Sequence, residues 1–376
     1  MIRFNKPYLF GEEIQNIQKA VEDGRLSGNG DFTKKCHSFF QDNYGFRKCL
    51  LTTSCTDALE MSALLIDIQE GDEVIMPTFT FVSTANAFVL RGAKIVFADS
   101  KPDHPNIDEK SIEQLITPKT KAIVVVHYGG VACEMDTIMD LASKHNLFVI
   151  EDAAQAIDAA YKGRPLGGIG HLAAFSFHET KNVVSGEGGM LVVNDERFAD
   201  KAEIIWEKGT NRAAFFRGEI DKYGWVEAGS SFLPSEMISA CLFGQLENLE
   251  EIQKGRVSVW NKYATGLADL EQRGLISLPH IPSYATNNAH VFYLVCKNIE
   301  ERSALIAHLK ESEIGAVFHY LCLHNSQFYA DKHDGRDLPV ADHFADTLVR
   351  LPLHLHLSDT DIQFIIDQVV QFYVEA

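Results

Sequence analysis

Short apolar runs recur along the first two-thirds of the chain, separated by stretches whose apolar residues return every three or four positions. Runs at Lys48–Leu51, Glu73–Met76, Lys94–Ala98, Ala122–Val126, Phe148–Ile150, Ala173–Phe177 and Met190–Val193 predict strands. Most are continuously apolar rather than alternating, the mark of strands buried on both faces. Together with the intervening helical patterns they predict an α/β fold, a mostly parallel central sheet with helices on both faces. An amphipathic stretch from about Ser235 to Leu270 then leads to a smaller α+β portion containing Ala289–Cys296 and a terminal helix from Ser358. With 376 residues, 46% of them hydrophobic, the chain exceeds one ordinary core. It is expected to divide into residues 1–245 and 246–376.

Charge and cysteine usage narrow the class. A formal charge of −18 disfavours a general nucleic-acid or anionic-membrane surface. No apolar run reaches membrane-spanning length, and Met1–Lys6 begins no secretory h-region, so a cytoplasmic protein is expected. The seven cysteines are scattered, odd in number and free of any Cys-x-x-Cys pair, which argues against a disulfide framework and a zinc site. His319, His324, His354 and His356 lack companions at ligand spacing, so no metal is expected.

The candidate chemistry lies at strand ends. Asp152 ends the run Leu147–Ile150, where open α/β sheets place ligands, and a carboxylate there could pair with a pyridinium nitrogen. Gln155 could reach a phenolic oxygen on the same ring. Lys181 follows the strand ending near Ser176 and is bracketed by the next strand across Gly186–Gly189, which puts it over the sheet. An amine that condenses with a carbonyl cofactor, a carboxylate and a hydroxyl suited to phosphate together indicate pyridoxal phosphate. Ser54-Cys55-Thr56 opens a helix whose free N–H groups suit the phosphate, and Phe81 could stack on the ring. Each residue alone also has an ordinary reading: loop contact, solvated lysine, unliganded N-cap, core aromatic. Lys208–Arg212, Arg217 and Lys222, interleaved with Phe215, Phe216, Tyr223 and Trp225, would suit a diphosphate and a base, or form a solvated loop. Gly168-Ile-Gly170 precedes a strand instead of opening a helix, which rules against a dinucleotide fingerprint.

Ser54-Cys55-Thr56, Pro77–Val82, Glu151-Asp152-Ala-Ala-Gln155, Phe175–Lys181, Gly186-Glu-Gly-Gly189 and His319-Tyr-x-x-Leu-His324 occur in that order, and together they resemble the DegT/StrS family of nucleotide-sugar aminotransferases. The resemblance spans essentially the whole chain and implies the aspartate aminotransferase (type I) fold, with pyridoxal 5'-phosphate as cofactor. It implies that Lys181 binds the cofactor covalently and moves the proton, Asp152 holds the ring nitrogen and Gln155 the phenolic oxygen. Ser176 and the backbone of Cys55 and Thr56 would hold the phosphate, with Phe81 on the ring. Ser231 would reach the phosphate of a partner subunit in a homodimer with shared sites; Arg212, His319 and His324 are candidate substrate contacts. Val82–Gly92, Val131–Asp136 and Lys208–Arg212 are most similar to the branch that makes dTDP-4-amino-4,6-dideoxygalactose for enterobacterial common antigen. That branch implies L-glutamate as donor and the C-4 ketone of dTDP-4-dehydro-6-deoxyglucose as acceptor. A gluco product, a C-3 amine, a sugar dehydratase and a non-catalytic relative are the alternatives, and a dehydratase would carry His in place of Lys181. Two departures stand out: Gly229-Ser-Ser231-Phe where the family usually has Gly-x-Asn-Tyr, and Cys322 where many members have Pro.

Overall fold

The computed structural model describes residues 1–375. Its main sheet comprises β1 (Lys48–Thr52), β2 (Glu73–Pro77), β3 (Lys94–Ala98), β4 (Thr120–Val126), β5 (Phe148–Asp152), β6 (Leu172–Ser176) and β7 (Gly189–Val193). Each matches a run read from the sequence to within a residue or two. The spatial order is β1-β7-β6-β5-β4-β2-β3. Successive residues of one strand feed opposite cores: Ile123, Val125 and Val149 face one, Val124 and Ile150 the other. That double burial explains the unbroken apolar runs.

One strand runs against the rest. β7 is antiparallel to both β1 and β6, whereas the remaining neighbours are parallel. The 177–188 connection contains no helix to carry the chain back across the sheet, so β6 and β7 pair as a hairpin. The loop is thereby held at the carboxyl edge of the parallel strands.

Helix α1 (Cys55–Leu65) follows β1, and α2 (Val82–Val89) follows β2. The amphipathic stretch near Ser235 is two helices, α3 (Glu236–Glu247) and α4 (Leu249–Gln272), separated at Asn248, whose φ of −110° and ψ of 14° leave the helical region. Leu246 and Ile252 pack in the main core, while Val259 and Leu267 of α4 join a second core. That second core also takes in β8 (Phe292–Val295), α5 (Ile299–Glu311), β9 (Leu348–Leu351) and α6 (Asp359–Glu375); β8 and β9 form an antiparallel pair. Among the described residues no helix is long and apolar enough to cross a membrane.

Candidate active site

The carboxyl edge of the sheet, the 177–188 loop and the second core enclose a cavity of about 1060 Å³. Its floor begins at α1. Ser54 caps that helix, accepting from Asp57 N at 3.1 Å, so the N–H groups of Cys55 and Thr56 sit in a first turn with no intrahelical acceptors. Both residues line the cavity. Gly189 passes against this turn: a Cβ there would lie 2.3 Å from Ser54 C and O and 2.4 Å from Cys55 N. Only glycine allows that approach. Ser176, paired with Gly189 across β6 and β7, adds a hydroxyl to the same wall.

Lys181 occupies the hairpin loop, which is closed by Phe177 N to Gly188 O, Glu179 N to Gly186 O and Ser185 N to Phe177 O. Its side chain enters the cavity. Burial lowers its pKa from the usual lysine value, opposed by the nearby Cys55 and Asp152. Asp152 ends β5, and burial raises its carboxyl above the ordinary range. The Thr84 hydroxyl of α2 donates to Asp152 Oδ2 at 2.7 Å, and Ala154 N donates to Oδ1 at 3.2 Å. Gln155 is fixed at both ends of its amide: Oε1 accepts from Gly129 N at 2.6 Å and Nε2 donates to the Tyr320 hydroxyl at 3.0 Å.

Tyr320 adopts a left-handed φ of 47°, unusual for a bulky residue. It stacks on His319 with ring centroids 3.6 Å apart, and His319 Nδ1 lies 2.8 Å from the Tyr128 hydroxyl. Phe81 caps α2 without a side-chain bond, lines the cavity and is 57% exposed. Its ring centroid lies 6.3 Å from that of Tyr320, the two planes tilted by 42°.

Cys55, Thr56, Phe81, Asp152, Gln155, Ser176, Lys181 and His319 therefore share one cavity. Three predicted residues lie outside its lining. His324 is turned toward the sheet, Nδ1 lying 2.8 Å from Thr78 Oγ1, because Leu323 N binds Thr78 O and a short 3-10 turn redirects the chain. Arg212 pairs with Glu207 at 3.3 Å, and Ser231, also bridged to Glu207, is solvent-exposed. Folding also gives His324 companions that spacing along the chain did not reveal: Cys322 and Asp342 offer ligand atoms within 4.8 Å of it.

Other residues were not singled out by the sequence. Thr84 is one, though its spacing of four from Thr80 was a signal; the two hydroxyls lie 2.8 Å apart. Glu151 is another: His127 Nε2 and the N–H groups of Gly167, Ile169 and Gly170 converge on its carboxylate. Gly170, of the glycine pair dismissed as a dinucleotide motif, thus binds a buried side chain adjacent to Asp152. His290, Arg256 and Arg350 come from the second core to complete the cavity wall.

The set of groups fits pyridoxal phosphate. Helix N–H groups and Ser176 suit a phosphate, the buried Asp152 has no cationic hydrogen-bond partner among the described residues, and Lys181 supplies an amine in the same cavity.

A model of the DegT/DnrJ/EryC1/StrS aminotransferase family matches residues 7–370. The Bacillus subtilis spore coat polysaccharide biosynthesis protein SpsC is 35% identical over 378 aligned positions, covering 97% of this chain and 95% of the relative. The aminotransferase TlmJ from Streptoalloteichus hindustanus is 28% identical, with a TM-score of 0.92 over 100% of this chain and 99% of its own. Helicobacter pylori PseC, an aminotransferase of pseudoaminic acid biosynthesis, is 25% identical, with a TM-score of 0.91 over the full length of both chains.

Proposed function

Because the chain belongs to the DegT/DnrJ/EryC1/StrS aminotransferase family, we propose that it transfers the amino group of L-glutamate to the C-4 ketone of dTDP-4-dehydro-6-deoxyglucose, giving dTDP-4-amino-4,6-dideoxygalactose. The observation that carries this reading is the meeting of Lys181, Asp152 and the α1 N-terminus in one cavity. The enzyme is a pyridoxal phosphate-dependent sugar aminotransferase. Its cofactor supplies an aldehyde that holds the migrating nitrogen and a ring that accepts the electron pair released at the donor's α-carbon.

The chain's own groups do the rest. Asp152 would hold a proton on the ring nitrogen, Gln155 would serve the phenolic oxygen and Phe81 would cover the ring. Ser176 and the N–H groups of Cys55 and Thr56 fix the phosphate. Lys181 would hold the cofactor's aldehyde at rest. Once displaced, its Nζ removes the α-proton of glutamate; burial favours the neutral amine that this requires. In the second half Nζ delivers a proton to C-4 of the sugar. His319, held by Tyr128, would contact the sugar.

The dTDP sugar is supported by Val82–Gly92, Val131–Asp136 and Lys208–Arg212. The polysaccharide role in SpsC's name agrees with a product destined for a surface polysaccharide. We also propose a cytoplasmic homodimer. Ser231 and Arg212 lie on an exposed segment that includes Phe216, 69% exposed, and Trp225, 84% exposed. A second copy would cover these rings and receive Ser231 at its phosphate and Arg212 at its nucleotide. The test is Lys181→Ala in the pyridoxal phosphate-loaded enzyme: the visible absorption of the lysine-bound cofactor and all turnover should vanish. Retained turnover would contradict the assignment.

A further inference from the structure

A cluster of metal-ligating side chains lies outside the lining of the lysine cavity, where the chain turns after His319 and Tyr320. Cys322 precedes the short 3-10 turn Leu323–Asn325 that carries His324, and Asp342 belongs to the first turn of the helix Pro339–Thr347. One ligand atom from each, a sulfur, a ring nitrogen and a carboxylate oxygen, lies within 4.8 Å of the other two. Cys322 and His324 are buried and Asp342 is half-buried.

The spacing suits a shared ion better than a direct bond. His324 Nε2 and Asp342 Oδ2 are 3.6 Å apart, beyond hydrogen-bond range. A tetrahedral ion with bonds of about 2.0–2.2 Å to nitrogen and oxygen would hold those atoms about 3.4 Å apart. The surrounding contacts aim both ligands inward. His324 Nδ1 lies 2.8 Å from Thr78 Oγ1, which leaves Nε2 to face Asp342. Asn325 Nδ2 donates to Asp342 Oδ1 at 3.1 Å, which leaves Oδ2 on the His324 side. Neighbouring groups are already engaged: Asp99 accepts from Ser100 N, Val340 N and Ala341 N, and His333 Nε2 lies 2.9 Å from Arg336 O. Three protein ligands remain, and the fourth position falls to water.

The donor set selects the ion. Imidazole and thiolate favour zinc over magnesium or calcium. A cysteine thiolate and an aspartate together balance the charge of a dication, so the filled site is neutral. The thiol's proton passes to solvent as the ion binds. Cys322 stands where many family members have Pro, which offers no ligand atom. The site is thus a feature of this chain and not of the family pattern.

We propose that Cys322, His324 and Asp342 bind one zinc-class divalent ion, and that the ion ties the segment carrying His319 and Tyr320 to the helix Pro339–Thr347. The ion is structural and takes no part in amino transfer.

The test uses untagged, pyridoxal phosphate-loaded enzyme, dialysed against a chelator and then titrated with zinc and with cobalt(II). The control is Cys322→Pro, which suits the backbone: φ is −61° and the Cys322 N–H donates no backbone hydrogen bond among the described residues. The native enzyme should bind one zinc per chain more than this variant, a difference that removes any binding by the cofactor itself. Cobalt(II) should give sulfur-to-metal charge transfer and tetrahedral d–d bands in the native enzyme, both lost in Cys322→Pro. Thr78→Val removes only the hydroxyl behind the histidine and should weaken zinc binding roughly 10- to 100-fold. Zinc should raise the melting temperature of the native enzyme and leave that of Cys322→Pro unchanged. If Cys322→Pro loses the cofactor spectrum, Asp342→Ala decides by the same readings. Native enzyme that binds no more zinc than the variants, or that gives a cobalt spectrum without the thiolate band, holds an adventitious ion only and overturns the proposal.

Discussion

The Thr84 hydroxyl donates a 2.7 Å hydrogen bond to Oδ2 of Asp152, with both side chains buried beneath the cavity. Thr80, just before α2, stands 2.8 Å from the Thr84 hydroxyl, so the donor is itself fixed. This aims the carboxylate and supports its charge. Thr84→Val keeps the shape and removes the bond, which is worth about 1.5–3 kcal/mol to a charged acceptor. Affinity for pyridoxal phosphate should fall roughly tenfold or more, measured by equilibrium dialysis; unchanged affinity would show that Asp152 needs no such support.

Asp152 also predicts a pH dependence. Burial raises its native pKa above that of the unfolded chain, so the folded protein binds this proton more tightly. The resulting stability is complete below the ordinary carboxyl pKa and is lost as pH rises through the raised value. Without cofactor, Asp152→Asn escapes that loss, so its melting temperature relative to the native protein should climb as pH rises above about 4. With cofactor the order should reverse, because the carboxylate gains the ring nitrogen as partner. Calorimetric melts across pH, with and without cofactor, check both signs.

Gly189→Ala places a methyl group against backbone atoms of Ser54 and Cys55 that cannot swing aside. Overpacking of this kind costs about 1–3 kcal/mol, and here it strikes the turn that would hold phosphate. The variant should melt lower and gain less stability from added cofactor than the native protein. A normal cofactor-induced shift would dissociate this turn from phosphate binding.

Much of this site was legible because its residues stand where a parallel sheet must present them. Asp152 ends β5, Ser176 ends β6 and Cys55 opens the helix after β1, so strand periodicity alone located them. Of the opposite wall, His319 was legible through its motif and the rest was not. Arg350 reads as one residue of a short apolar strand, and Tyr320 reaches Gln155 across 165 positions of sequence. No local pattern encodes such a return. His324 misled for the converse reason: it shares a motif with His319, but the turn at Leu323 sends the two rings to different surroundings.

Glu151 and His127 make a further case, both 0% exposed and 2.9 Å apart. Burial would raise the Glu151 carboxyl, but hydrogen bonding from His127 and the backbone of Gly170 and Gly167 holds it low. Glu151→Gln would turn an amide N–H₂ toward groups that are themselves donors. Each hydrogen bond to the carboxylate that is lost costs about 1.5–3 kcal/mol. Denaturant unfolding should register a loss of that size; less than about 1 kcal/mol would mean the pair is replaceable.

The reaction proposed for this enzyme is amino transfer to a nucleotide sugar at C-4. The most direct measurement is incubation of the pyridoxal phosphate-loaded enzyme with L-glutamate and dTDP-4-dehydro-6-deoxyglucose, with the product's C-4 substituent and configuration determined by NMR. The prediction is an amine at C-4 in the galacto configuration, with 2-oxoglutarate formed in equal amount. Absence of an amine at C-4 would contradict it.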